Sequence, residues 1–223
     1  MPAEGAERSV KHFLNSAMLA PNVMTVPVDP GIVDALAPLA VSPDPAQYAS
    51  HHPGWNSDIR WISPRTEAGF APFDAAFATL GIADHVRPYL DLEREVRLYA
   101  GFFVVRSRCE APDFHRDWID TGNEAFTLLT PIGAAPGGFG LLYRTLTGEI
   151  AEYDYCPGEA ILFGDNFVHS TRPGQSSDPV ALLCFNFGTD KIEHWPRIRT
   201  TAAYQGELVR RPDGTYERRA TVA

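Results

Sequence analysis

The chain is poor in cysteine, has no excess of basic charge, and contains no apolar stretch long enough to cross a bilayer. Its three cysteines, Cys109, Cys156 and Cys184, are widely spaced and include no Cys-x-x-Cys pair. Neither a disulfide framework nor a zinc knuckle is suggested, and all three read as buried apolar thiols. A formal net charge of −9 provides no basic surface to displace counterions from phosphates, which argues against a nucleic-acid partner. No apolar run reaches the roughly 18 residues a membrane helix needs, so no membrane partner is expected. The opening MPAEGAERSVKHF carries acids where a secretion signal would be basic and then apolar. A cytoplasmic location is expected. Internal repeats, low-complexity tracts and charge blocks are missing as well.

What remains has the make-up of a globular protein. At 223 residues, 44% hydrophobic and 21% charged, the chain fits one large domain, expected over residues 1–223. The 19 prolines and 18 glycines favour many turns over long helices. Residues 1–94 read as helices and loops. Asp29 caps a helix that Pro30 opens, and Ile32, Val33, Leu36 and Leu39 recur at helical spacing. Pro72 to Leu80 and Ala83 to Leu90 read as two more short helices, punctuated by Gly81. Tyr48 to Phe70 has no period and reads as a long loop, the kind that serves as a lid.

From Glu95 the pattern changes. EVRLYAGFFVVRSR, FTLLTPI, FGLLYRTL, EIAEYDY, EAILFG and VALLCFNFG are short apolar or alternating runs bounded by Gly, Pro, Asp or Asn. Strands so closely spaced leave no room for crossover helices, so the core at 95–190 is predicted to be an antiparallel sandwich or barrel. The extension at 191–223 ends in ELVRRPDGTYERR, whose Pro-Asp-Gly predicts an exposed hairpin or a loosely held tail.

One triplet stands out in DFHRDW: His115 and Asp117, separated by Arg116. Seven histidines and 28 acidic residues produce about 0.9 His-x-acid triplets by chance, so the triplet alone decides little. On a strand, however, residues i and i+2 share a face about 6 to 7 Å apart and can grip one ion. His169, after AILFG and the Gly164-Asp165-Asn166 turn, is the natural third donor. Two imidazoles and a carboxylate with open positions opposite form the set that selects Fe(II) for oxygen chemistry.

The order His-x-Asp, strand, glycine-rich turn, strand, Pro-Gly turn, strand, His, strand resembles the Fe(II)/2-oxoglutarate-dependent dioxygenase superfamily. DFHRDW, FTLLTPIG, GGFGLLYR, YDYCPGEAILFGDNFVHSTRPG and VALLCFNFG carry the resemblance, over about residues 95 to 190. It implies a mainly β fold, the double-stranded β-helix (a jelly-roll or cupin-like barrel), with the N-terminal helices packed on one side. It also implies Fe(II) held by His115, Asp117 and His169, 2-oxoglutarate as co-substrate, O2, and hydroxylation of a small-molecule substrate. Pro157-Gly158 would turn the chain into the strand that leads to His169.

The sequence departs from the family pattern at one place. The basic residue expected nine to twelve positions after the distal histidine, to bind the far carboxylate of 2-oxoglutarate, falls on Asp178, Pro179, Val180 and Ala181. Arg172 is the favoured replacement, with Arg144 and Arg106 behind it, and Tyr143 and Thr130 are candidate hydroxyl donors to the same carboxylate. This departure keeps open a second reading, a cupin-like metal-dependent dioxygenase or isomerase that does not use 2-oxoglutarate. Trp61, Trp118 and Phe103 are candidate pocket aromatics, and Arg116 is expected to face away from the ligands. Arg60, Arg65, Arg97 and Arg108 hint at an anionic substrate, balanced by the plainer reading of a solvated rim. His12, His51, His52, His85 and His194 read as surface or lid residues, with His51-His52 beside Trp55 within reach of substrate. Gly133, Pro136, Gly137 and Gly138 read as turn residues, because strands and no helix flank them.

Overall fold

The computed structural model describes residues 13–54, 56, 58–133 and 138–219. His12, Trp55, Pro136 and Gly137 lie outside them. Along the chain, strands β1 (Leu14–Asn15), β2 (Ala20–Pro21) and β3 (Val23–Pro27) lead to helices α1 (Pro30–Asp34) and α2 (Ala37–Val41). Strands β4 (Tyr48–His51) and β5 (Arg60–Pro64) and helices α3 (Glu67–Thr79) and α4 (Ile82–Val86) follow. Next come β6 (Arg97–Cys109), β7 (Ala125–Pro131), β8 (Leu141–Arg144), β9 (Ile150–Tyr153), β10 (Glu159–Phe163), β11 (His169–Thr171) and β12 (Gly174–Gly188). Helix α5 (Trp195–Gln205) and the hairpin β13 (Leu208–Arg210) and β14 (Tyr216–Arg218) close the chain.

Seven strands form one antiparallel sheet in the order β3-β10-β7-β12-β6-β5-β4, and β11-β8-β9 form a second. Side-chain alternation on the large sheet divides the apolar residues into two cores. Phe103, Val105, Leu128, Leu162, Leu183 and Phe185 point to one face and meet Phe70, Phe73 and Phe77 of α3, together with α1 and α4. Phe102, Leu129, Ile161, Phe163 and Cys184 point to the other face and meet Leu141 and Tyr143 of the small sheet. The two sheets thus enclose an interior, with helices on the outer face of the larger one. This is the mainly β, double-stranded β-helix arrangement.

Local chemistry explains where the helices begin. The Asp29 carboxylate accepts from Gly31 N at 2.8 Å, with Pro30 opening the helix. Helix α3 starts at the cap Thr66, whose hydroxyl accepts from Gly69 N, so Pro72 lies inside the helix instead of opening it. The expected helix after Gly81 is shorter than its apolar pattern: α4 stops at Val86 and a 3-10 turn covers Arg87–Tyr89. The stretch expected as a loop from Tyr48 to Phe70 instead supplies β4, β5 and the start of α3. The closing hairpin is not loose either, because Leu208 and Val209 are buried, packed with the two cores. Cys109 and Cys184 are buried as expected, whereas Cys156 is exposed.

Gly101 marks the closest approach of α3 to the sheet. A Cβ there would stand 2.5 Å from Phe73 Cβ, and Phe73 is fully buried. Gly101→Ala is therefore expected to destabilise the chain by roughly 1 to 3 kcal/mol, the usual range for overpacking, read as a lower urea midpoint.

Candidate metal centre

His115 and Asp117 sit in the connection between β6 and β7, and not on a regular strand as the spacing implied. An isolated antiparallel bridge replaces the strand: His115 N donates to His169 O and His169 N to His115 O, both at 2.9 Å. The bridge sets the two imidazoles side by side, their centroids 4.6 Å apart and their planes tilted by 54°. Asp117 Oδ1 lies 3.6 Å from His115 Nε2 and 3.9 Å from His169 Nε2. Donor atoms of the three residues all fall within 4.8 Å of one another, a spacing at which one ion could collect them.

Surrounding groups fix the orientation of each donor. His115 Nδ1 stands 2.8 Å from Asp113 O and His169 Nδ1 3.3 Å from Phe167 O, so each Nδ1–H is held by a carbonyl and each Nε2 keeps its lone pair. The Thr127 hydroxyl donates to Asp117 Oδ2 at 2.9 Å and receives the Trp118 indole N–H at 3.0 Å, which leaves Oδ1 for the imidazoles. Thr201 Oγ1 donates to the Asp117 carbonyl. The turn before β11 is anchored separately. Asp165 accepts from Thr121 Oγ1 at 2.6 Å and Asn123 N at 3.0 Å, and Asn166 takes a left-handed φ of 68°. Burial lowers His169 from its ordinary 6.5 to about 4, against the opposing pull of Asp117. Its imidazole is therefore neutral and available as a donor at neutral pH.

His115 and Asp117 lie between two cavities, and His169 lines the inner one alone. The inner one, about 100 Å³, is also lined by Phe102, Val104, Arg106, Leu129, Tyr155 and Cys184. The outer one, about 350 Å³, lies against Trp61, Arg116, Thr200, Thr201, Tyr204 and Gln205. Trp61 therefore lines a pocket as expected, and Arg116 does so against expectation. Phe103 and Trp118 do not: Phe103 faces the helices, and Trp118 is buried with its N–H on Thr127.

Of the candidate anion-binding residues, Arg106 alone lines the inner cavity. Arg172 is turned outward, because Thr171 takes the cavity side; its guanidinium pairs with Glu152 and Asp154, each at 2.7 Å. Arg144 is exposed and lies over the Phe114 ring at 4.8 Å. Thr130 pairs with Leu183 on the helix side of the sheet and donates to Glu159 O, so it too points away. Tyr143 stacks on Phe167 and lines neither cavity. Arg106 is 7% exposed; its Nε donates to Arg108 O at 3.0 Å, and its Nη2 has no hydrogen-bond partner among the described residues.

The register explains how Arg106 comes to be there. Its Cα partner across the sheet is Val180, one of the positions at which the family pattern places its basic residue. Cross-strand partners share a face, and Arg106 and Val180 together line a small recess of about 20 Å³ with Tyr155. The guanidinium thus occupies the expected ground from the neighbouring strand. Burial holds the Tyr155 phenol above its usual range, so it is a neutral donor.

Other candidates are engaged elsewhere. Arg97 pairs with Glu95 at 2.8 Å and Arg108 with Glu110 at 2.6 Å, which removes most of the hint those rim charges gave. His51 backs Trp61 edge-on and contacts Arg219 at 2.8 Å, while His52 Nδ1 meets Ile59 O at 2.7 Å; neither lines a cavity. Asp91, Glu124 and His194 also cluster within 4.8 Å, but Lys191 Nζ lies 2.7 Å from Asp91 Oδ2 and an ammonium already neutralises that group. Sequence reading missed Tyr155, Thr127, Asn186 and Gln205. Strand parity with known site residues could have found Thr127 and Asn186; nothing in the sequence marks Gln205.

No protein-family model and no curated protein matches this chain. Among solved structures it is similar to the non-haem α-ketoglutarate-dependent epimerase SnoN from nogalamycin biosynthesis, with TM-score 0.56, 14% identity and coverage of 76% of this chain and 78% of that one. It is similar also to a Pseudomonas putida prolyl-4-hydroxylase, with TM-score 0.54, 16% identity, and 75% and 92% coverage. HygX from Streptomyces hygroscopicus, solved with nickel, 2-oxoglutarate and hygromycin B, gives TM-score 0.53, 14% identity, and 79% and 88% coverage. At these identities the likeness is one of fold, the fold of the Fe(II)/2-oxoglutarate oxygenases.

The lowered His169 value has a consequence for stability. Between pH 6.5 and about 4 the unfolded chain binds a proton at this residue that the folded chain refuses. Stability from this group is therefore complete above 6.5 and falls as pH drops toward 4, by on the order of 3 kcal/mol. Urea unfolding of metal-free protein at pH 7 and pH 5 checks this, and His169→Leu is expected to flatten the difference.

Proposed function

We propose that the chain is a non-haem Fe(II)- and 2-oxoglutarate-dependent dioxygenase that hydroxylates a small molecule. The observation that carries the reading is the convergence of two imidazoles and one carboxylate on the wall of a cavity that also holds a buried guanidinium whose Nη2 has no hydrogen-bond partner among the described residues. The donor set fits ferrous iron, since each ring turns Nδ1 to a carbonyl and Nε2 toward Asp117 Oδ1, while the Thr127 hydroxyl takes the other Asp117 oxygen. The Arg106 Nη2 fits a carboxylate, because a buried N–H group left without an acceptor is costly and a carboxylate oxygen relieves it. The rival reading without 2-oxoglutarate rested on the missing basic residue, and Arg106 supplies one.

When bound, iron and 2-oxoglutarate supply the oxidising power, activating O2 to attack an unactivated C–H bond with release of succinate and CO2. The protein's own residues position and exclude. His115, Asp117 and His169 would hold the iron, and Arg106 with Tyr155 would hold the far carboxylate. Phe102, Val104, Leu129 and Leu182 line the inner cavity and keep it poor in water. The outer cavity would receive the substrate between Trp61 and α5. Its Arg116 makes no ion pair among the described residues, which favours a substrate bearing an anionic group. Small-molecule ligands such as the hygromycin B bound to HygX are consistent with a cavity of this size. No described helix is long and apolar enough to cross a membrane, and we place the chain in the cytoplasm.

Anaerobic addition of Fe(II) and 2-oxoglutarate is expected to produce a weak visible charge-transfer band in the wild type and none in His115→Ala. Iron binding with no band would favour the rival enzyme. Arg106→Leu should raise the 2-oxoglutarate needed for the band by roughly 10- to 100-fold, from the 1.5 to 3 kcal/mol of a charge-assisted bond. Arg172→Ala should leave the requirement unchanged; the reverse pattern would return the role to Arg172.

A further inference from the structure

Besides His115 and Asp117, only Trp61, Asp113 and Gln205 among the described residues line both cavities. Gln205 is the last residue of α5, in the extension beyond the β-helix core. Its Oε1 accepts from Asn186 Nδ2 at 2.6 Å. Asn186 is fully buried on β12, and its Oδ1 lies 3.2 Å from Thr127 Oγ1. Thr127 Oγ1 in turn lies 2.9 Å from Asp117 Oδ2. A continuous line of hydrogen-bonding groups therefore runs from the outer cavity to the oxygen that Asp117 does not turn toward the imidazoles.

The chemistry of the line makes it responsive. A threonine hydroxyl has one hydrogen, and two acceptors stand within its reach, Asp117 Oδ2 and Asn186 Oδ1. While the hydrogen serves Asp117 it drains charge from the carboxylate, and when it serves Asn186 that charge returns to the donor oxygen. The position of Asn186 selects between the two, and Gln205 holds Asn186. The Gln205 amide nitrogen makes no hydrogen bond among the described residues, so it is available to a group lying in the outer cavity.

We infer that Gln205 is a positioning residue that couples occupancy of the outer cavity to the electron-donating strength of Asp117, through Asn186 and Thr127. The inference rests on the metal-site reading above and adds to it a route by which a bound substrate tunes the ligand set. Thr201, one turn earlier on α5, secures the Asp117 backbone and gives the helix a second hold on the same residue.

The test uses Co(II) alone as probe, titrated into metal-free full chain and followed by its visible absorption bands. Thr127→Val is expected to weaken Co(II) roughly 10- to 100-fold, the range for loss of a group that orients a metal ligand. Gln205→Leu should shift the bands and weaken binding several-fold, whereas Gln205→Glu, which keeps an oxygen for Asn186, should retain the wild-type band positions. Adding Gln205→Leu to Thr127→Val should cost nothing further, because the line is already cut. Gln205→Ala takes the place of Gln205→Leu if the latter does not fold. Unchanged bands in the Leu variant, equal shifts in Leu and Glu, or losses that multiply in the double variant would each overturn the inference while leaving the metal site standing. A wild-type chain that binds no Co(II) would overturn the metal site and the inference together.

Discussion

Two backbone hydrogen bonds, His115 N to His169 O and His169 N to His115 O, are what the site depends on. They join a connection that follows the first long core strand, and that has no regular pairing of its own to aim His115, to β11, whose pairing with β8 sets His169 opposite Tyr143. Everything else near the centre reinforces this bridge. Asp165 ties the turn before His169 to Thr121 and Asn123, while Thr127 and Thr201 hold Asp117 by side chain and backbone. The donors are thus placed before any ion arrives, and the ordering entropy is met by folding and not by binding.

The alternation of the large sheet then decides which polar residues can take part. Thr127 and Asn186 share the interior face, whereas Thr130 is on the opposite face and is lost to the site by the odd step from Thr127. The same parity brings Arg106 inward opposite Val180, while Arg172, just past the end of β11 in the small sheet, turns outward to Glu152 and Asp154. An arginine carried by β6 in place of β12 preserves the location of the charge while changing its place in the sequence.

Much of this was legible from residues alone. The strand runs after Glu95, the Asp29-Pro30 helix start and the His-x-Asp with its later His are all short-range signals, and the structure brings the three donors together. Boundaries in the first ninety residues were less legible. Pro72 reads as a helix start, yet the Thr66 cap overrides it, and the strands at 48–51 and 60–64 are too short and irregular to announce themselves before they pair with each other and the second joins β6. The choice of Arg172 failed because proximity in sequence to His169 says nothing about facing. Cross-strand register, which placed Arg106, is a long-range property. Gln205 was invisible for the same reason: it joins the site only because α5 folds back over it.

The two imidazoles differ sharply in their access to water, with 42% of the His115 side chain exposed against 6% of His169. A cation entering the proposed centre from bulk water would meet His115 first and would shed its hydration shell stepwise to reach the deeper ring. Exchange with chelators would run back along the same path, so the shallow histidine would govern how quickly such a centre fills and empties, and the deep one how firmly it keeps what it holds.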